Sequence, residues 1–468
     1  MKNQIGILVL IVISILSSNY AYGEEKNKLE SSPQGELQVS KTKRYLQYAD
    51  GNPFFYLGDT AWELFHRLTR EEADHYLTVR AAQGFTVIQA VALAEFDGLK
   101  TPNAYGHLPF VAFDPAKPDI KPGDANDYWD HVDYIVDLCN QKGLFVGFLP
   151  TWGRYWNDGE QPLFNPDNAY QYGRFVGERY RTKKLIWILG GDRPADTPKK
   201  LEIIRAMAKG IRDAGARQLM TFHPNGGAGS SQWLHNEAWL DFNMRQNGHS
   251  VNYTNRYSKT NDDYRLSPTK PIIDAEPIYE DHPIDFNPDN LGHSTAADVR
   301  RTFYWDLFEG SFGYTYGNHS VWQMYDPASD RESVNRPILS WQEAIHQPGA
   351  TQMIHGKRLI ESRPFDTRVP SPELIVSDRY PSIVPGAGRY RFVATSNIGK
   401  TYAMIYVPIG RKFKVNTQWI QTDTLRLSWF DPRTGESRSI GEVSNREEPM
   451  EFISPTPGEN LDWVLVIN

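Results

Sequence analysis

A chain of 468 residues with a net charge of −7 and a single cysteine exceeds one ordinary domain, suits a barrel plus a smaller module, and can form no intrachain disulfide. Its mildly negative charge, with no basic stripe, argues against nucleic acid as a partner. Aromatic residues make up 13% of the chain, and many follow strand-like runs, where sugar-binding clefts place them.

In chain order, residues 1–23 read as a secretory signal peptide. Met1-Lys2 precedes an apolar run, Ile5 to Leu16, too short to span a bilayer comfortably, and small residues follow. No cysteine comes directly after it, so a periplasmic or secreted protein is expected rather than a lipoprotein, with no membrane anchor after cleavage. Residues 24–35 are polar and read as a disordered linker. Residues 36–364 are assigned to a catalytic barrel and 365–468 to a C-terminal β-sandwich.

Arg44 to Tyr48 and Phe54 to Leu57 form a predicted hairpin around Asp50-Gly51, leading into Gly58-Asp59-Thr60-Ala61-Trp62. Thr69 and Glu72 have capping-box spacing and open a helix. Phe85 to Leu93 is a buried strand, and the Pro- and Gly-rich stretch from Ala94 to Asp124 a loop over the barrel mouth. Trp129, Val132, Ile135, Val136 and Cys139 make a helical stripe, with Cys139 as a small buried hydrophobe. Strand Leu144 to Leu149, a helix near Tyr170 to Tyr180, strand Leu185 to Leu189, a helix entered at Asp196-Thr197-Pro198 and strand Gln218 to Phe222 follow. Asp241 to Met244, Pro271 to Asp274 and Ser311 to Tyr316 supply the remaining strands. This alternation predicts a (β/α)8 barrel. Beyond a joining segment, Ala344 to Pro364, short alternating runs at 374–376, 390–394, 401–407, 425–430 and 463–467 predict an all-β sandwich.

A barrel of this kind builds its active site at the C-terminal ends of its strands. Asp192 follows one such run across Gly190-Gly191, which permit a sharp turn, and Glu276 follows another. Two carboxylates facing one cleft are what glycosidic bond cleavage requires. Asp192 has a rival role as a helix N-cap, although Asp196 is the more obvious cap. Glu276 has one as the ion-pair partner of Arg154, Arg193 or Arg245. Asp274 points the same way as Glu276 by strand alternation, with Glu276 nearer the mouth. Other strand ends carry Asp59 and Trp62; Trp152, Arg154, Tyr155 and Trp156; His223 and Asn225; Gln246 and Asn247; and Tyr316, Asn318 and His319. Such a layer suits a polyhydroxylated ligand, with Trp62, Trp152, Tyr155 and Trp156 as stacking candidates. No metal-binding histidine spacing, serine-hydrolase elbow or phosphate loop occurs, so no metal and no cofactor is expected.

Phe55-Tyr-Leu-Gly-Asp-Thr-Ala-Trp62, Gly84-Phe-Thr-Val-Ile-Gln89, Trp187-Ile-Leu-Gly-Gly-Asp192 and Asp274-Ala-Glu-Pro277 resemble stretches of the apiosidase-like glycoside hydrolases, glycoside hydrolase family 140 and its relatives. The tail, with Trp429-Phe-Asp-Pro-Arg-Thr-Gly435, looks like the small β-domain that accompanies such barrels and has been named for collagen binding. The resemblance implies a barrel acting on plant cell-wall pectin, at apiose in the side chains of rhamnogalacturonan II. It also implies Asp192 as acid/base and Glu276 as nucleophile. Barrel glycosidases of the largest clan usually place Asn-Glu after the fourth strand; Gly191-Asp192 stands here, which alters the subsite for the sugar 2-hydroxyl. A retaining enzyme would hold the two carboxyls about 5–5.5 Å apart and an inverting one about 6.5–9.5 Å apart. Burial and the charge of Glu276 should raise the pKa of Asp192. Alternatives are a barrel glycosidase for an arabinofuranoside or β-glycan, and a non-catalytic carbohydrate-binding protein. The expected partner is a plant polysaccharide or oligosaccharide; the residues name no protein partner.

Overall fold

The computed structural model describes residues 35–123, 127–157, 159, 162–250, 256–376 and 387–468. The expected signal peptide, and all of the linker but residue 35, lie outside them. Eight strands make the barrel: β1 (Tyr56–Thr60), β2 (Val87–Val91), β3 (Phe145–Leu149), β4 (Leu185–Gly190), β5 (Met220–His223), β6 (Asn243–Arg245), β7 (Ile272–Asp274) and β8 (Gly313–Tyr316). All are buried along their length, as strands covered on both faces must be, which is why they read as apolar runs. Six pair in parallel in the order β8-β1-β2-β3-β4-β5, and β6 pairs in parallel with β7. Main-chain bonds from Asp241 to Met220 (2.8 Å) and from Phe312 to Ile272 (3.0 Å) bridge the two remaining seams.

Helices α1 (Arg70–Ala82), α2 (Tyr128–Gln141), α3 (Pro166–Tyr180), α4 (Pro198–Asp213), α5 (Ser231–Leu234), α6 (Arg256–Tyr264), α7 (Ala296–Phe308) and α8 (Pro348–Glu361) alternate with the strands. The Thr69–Glu72 capping box opens α1 as its spacing predicts. Thr197, not Asp196, caps α4, and Asp196 pairs instead with Lys200 at 2.8 Å. The segment expected to join the domains is largely α8. Cys139 is buried in α2. No helix among the described residues is long and apolar enough to cross a membrane.

The predicted hairpin divides. Leu46–Tyr48 pairs with Pro53–Phe54 and with a third short strand, Leu37–Val39, while the rest of the second run becomes β1. Phe54 packs on Tyr48 (5.4 Å between ring centres) and on Phe145 at the start of β3 (5.3 Å), closing the barrel floor.

The C-terminal domain has a six-stranded antiparallel sheet packed on a two-stranded one, Gly410–Val415 with Met450–Gly458. Phe413, Trp429, Phe452 and Trp463 form the core between them. Residues 372–374, within or beside a predicted strand, form a 3-10 turn instead. α7 lies against this domain: Tyr304 stacks on Tyr406 (4.7 Å, 11° between planes), and Arg300 pairs with Asp462 at 2.6 Å.

Candidate active site

The C-terminal rim of the barrel opens into a cavity of about 560 Å3 lined by Asp192, Glu276, Glu95, Trp62 and Trp152 among others. Asp192 enters it on a strained turn. Gly190, Gly191 and Asp192 have φ of 96°, 103° and 51°, a left-handed run that glycine tolerates and that costs about 1–3 kcal/mol at an aspartate. A Cβ on Gly191 would stand 2.8 Å from the Trp152 ring and 3.0 Å from the Gly153 nitrogen. Gly191→Ala is therefore expected to destabilise the fold by at least about 1 kcal/mol and to lower kcat/KM about 100-fold by displacing Asp192. Thermal unfolding and kinetics measured together check this; unchanged values would show that the turn admits a methyl group.

Glu276 stands two residues beyond β7. Its neighbour Asp274 is fully buried and accepts a 2.7 Å hydrogen bond from Asn247 Nδ2, so it braces the β6–β7 turns while Glu276 faces the cavity. No arginine pairs with Glu276 among the described ion pairs. Its Oε1 is hydrogen-bonded to His249 Nε2 at 3.1 Å, and its Oε2 lies 3.1 Å from His223 Nε2, close enough for an ion pair though not aligned as a hydrogen bond. His223 Nδ1 lies 3.4 Å from the main-chain N–H of Asp192, which donates to it. This assigns the ring proton to Nε2, facing Glu276. Burial alone would raise the Glu276 pKa, but the two imidazoles outweigh it and bring it down to about 2. Asp192 moves the other way: burial, then the negative charge of Glu276, lift it above the ordinary carboxylate range against the pull of His223, Gln246 and Arg193.

Trp62 and Trp152 meet at 5.2 Å between ring centres, and both lie against His223 (5.4 and 6.1 Å). Gln246 and Asn247 also line the cavity. Eight other expected ligands do not; one of them, His223, stands behind Glu276 with its side chain fully buried. Strand alternation turns Asp59 and Tyr316 outward, where Asp59 pairs with Arg80 of α1 at 2.6 Å and the Tyr316 hydroxyl bonds to Glu280. Trp156 is fully buried, its indole N–H bonded to the Gly190 carbonyl (3.0 Å) beneath the turn. The Tyr155 hydroxyl and the Arg154 guanidinium bond to the carbonyls of Ala94 and Glu95, so both residues hold the β2 loop. Asn225 donates to the Gly226 carbonyl within its own loop. His319 is buried, bonded to the Asn335 carbonyl (3.1 Å) and packed behind His282 (4.6 Å between ring centres).

Sequence reasoning did not single out His249, Glu95, Tyr279, His282, Phe286 or Trp322, all of which line the cavity. His249 was within reach, three residues past Gln246 at the end of β6. Glu95 fell inside the stretch assigned to a mouth loop. Its carboxyl is raised to about 8, by burial first and then by Asp192, Glu63 and Glu276. Among the described residues no group of three His, Cys, Asp or Glu is arranged to hold a metal ion.

Comparison with known proteins agrees with this geometry. Residues 40–367 match the family model described as "Apiosidase-like, catalytic domain", and residues 369–468 that described as "Putative collagen-binding domain of a collagenase". A solved structure named "Glycoside hydrolase" is 33% identical over 92% of this chain and 96% of its own, with a TM-score of 0.84. A glycoside hydrolase family 5 structure from Bacteroides vulgatus is 32% identical, covering 92% of this chain and 93% of its own, also with a TM-score of 0.84. No curated protein matches. A (β/α)8 barrel whose mouth carries paired carboxyls above an indole floor, with these structural neighbours, defines a glycoside hydrolase. The family match spans the whole barrel. The chain belongs to the apiosidase-like family.

Proposed function

We propose that this enzyme cleaves plant pectin side chains at apiose in rhamnogalacturonan II by a retaining, two-carboxylate route. The observation that carries the reading is a pair of carboxyls on one cavity whose surroundings push their titration in opposite directions, Glu276 down and Asp192 up. Such a split separates a nucleophile from an acid. In the first step Glu276 attacks the anomeric carbon, the bond to the leaving oxygen breaks, and Asp192 gives that oxygen its proton. In the second, Asp192 takes a proton from water, which displaces Glu276 and frees the sugar. The family supports apiose as the sugar. The charged start and apolar run of residues 1–16 support export to the periplasm or beyond.

Product analysis on rhamnogalacturonan II side-chain oligosaccharides, beside Glu276→Gln, tests the reading. Release at apiose by the wild type alone is expected, with proton NMR showing the anomeric configuration kept in the first product. An inverted product would remove the nucleophile role from Glu276. Cleavage of only an arabinofuranoside or β-glycan would replace the substrate.

The coupling of the two acids has its own test. Glu276 raises Asp192 through its charge, so in Glu276→Gln the Asp192 carboxyl should titrate at a lower pH than in the wild type, read by carbon-13 NMR. An unchanged or higher midpoint would show that the two groups do not sense each other.

A further inference from the structure

We propose that Glu95 is a third working carboxyl of this cleft, hydrogen-bonding a hydroxyl of the sugar that lies between Asp192 and Glu276. The inference rests on the glycosidase reading above and adds a ligand to it. Glu95 stands four residues beyond β2. Its main chain is pinned: the carbonyl accepts from Arg154 Nη1 (3.2 Å) and from the Asp97 N–H (2.8 Å). Its side chain lines the cavity, and no described residue hydrogen-bonds its carboxyl. Nearby Glu63 shows the contrast. That carboxylate is fully buried and engaged by His66 Nδ1 (2.8 Å), the Phe96 N–H (3.0 Å) and Arg67 (3.6 Å), and it serves the fold. A polar group on a fixed backbone that faces a ligand cavity unengaged is placed for the ligand.

The charges around Glu95 decide which form it takes. Asp192 and Arg193 face it from the β4 turn, Glu63 from the β1 end and Glu276 from the β7 end, and the Arg154 guanidinium holds its carbonyl from the β3 side. Burial first, and then three carboxylates against Arg193, keep its proton on up to about pH 8. Over that pH range Glu95 is a neutral carboxylic acid, able both to donate to and to accept from a sugar hydroxyl. Above that range it becomes an anion. It then loses its donor and adds a third negative charge to the cavity.

Steady-state kinetics against pH test this with wild type, Glu95→Gln and Glu95→Ala, on whichever glycoside the wild type cleaves. In the wild type KM should climb as pH passes about 8. In Glu95→Gln, which stays neutral and keeps both a donor and an acceptor, KM should stay flat over that range. Glu95→Ala should raise KM about tenfold at every pH. If KM of the wild type and Glu95→Gln followed the same pH course, or if both variants matched the wild type, the inference would be overturned. A fold-supporting residue would instead lower thermal stability in both variants with no change in the pH course of KM. Cleavage by the wild type is scored first, so failure of the glycosidase reading is seen before any Glu95 variant is compared. Calorimetric binding of the oligosaccharide to Glu276→Gln, with and without Glu95→Ala, supplies a readout without turnover, and equal affinities there would also overturn the inference.

Discussion

Replacing Glu276 with glutamine is expected to lower kcat at least about 10⁴-fold while leaving the fold intact. The amide is isosteric, so the contacts of His223 and His249 at 3.1 Å survive in outline, but it cannot form the glycosyl ester. Asp192→Asn should behave differently according to the leaving group. For natural oligosaccharides, whose leaving oxygen needs a proton, it should cost about 10²–10⁴-fold. For a nitrophenyl glycoside, whose leaving group departs as an anion, formation of the glycosyl-enzyme should be nearly normal and its hydrolysis slow, giving a burst of nitrophenol. The contrast is read from pre-steady-state traces. Glu276→Gln with more than about a hundredth of wild-type kcat would be incompatible with a nucleophile, given the size of such effects.

Asp462→Ala should destabilise the protein by about 3–5 kcal/mol, as breaking a buried ion pair does. Arg300 approaches both carboxylate oxygens of Asp462, at 3.0 Å from Nε and 2.6 Å from Nη2, and the side chains are only 4% and 2% exposed. The Tyr406 hydroxyl adds a bond to the same carboxylate at 3.1 Å. Truncating the acid strands a guanidinium where water does not reach it. Replacing both partners together, Arg300→Met with Asp462→Leu, should cost much less, because no charge is then left behind. Urea unfolding of the single and double variants checks this. A single-variant loss under about 1 kcal/mol would place this pair with exposed ones, which contribute little.

Much of the barrel was legible because its strands are covered on both faces. Runs such as Leu185 to Leu189 have no polar side to obscure them. The two central acids were legible for a related reason: each follows such a run directly. What failed was the finer geometry. Asp59 and Tyr316 sit at strand ends, yet alternation sends them outward to Arg80 and Glu280, and a shift of one residue in the assumed register reverses that outcome. The contact between His249 and Glu276 joins the ends of neighbouring strands, and nothing in the linear order announces it. In the β-domain, Ser437–Ser444 is almost wholly exposed and lacks the apolar alternation by which strands are recognised, and Met450–Gly458 carries Pro455 and Pro457.

The burial of α7 has a consequence for how this gene can change. Every residue from Val299 to Phe308 is buried; an ordinary barrel helix keeps one side for solvent. Tyr304 and Trp305 are engaged by the β-domain through Tyr406 and the Arg391 carbonyl. A recombination that cut the chain near residue 368, between its two family segments, would leave a barrel with a greasy scar along one flank and Arg300 without its carboxylate. Inheriting the barrel alone would first require repainting that helix with polar residues, several substitutions that bring no benefit until the cut is made. The join is easy to see in the sequence and hard to cross in evolution.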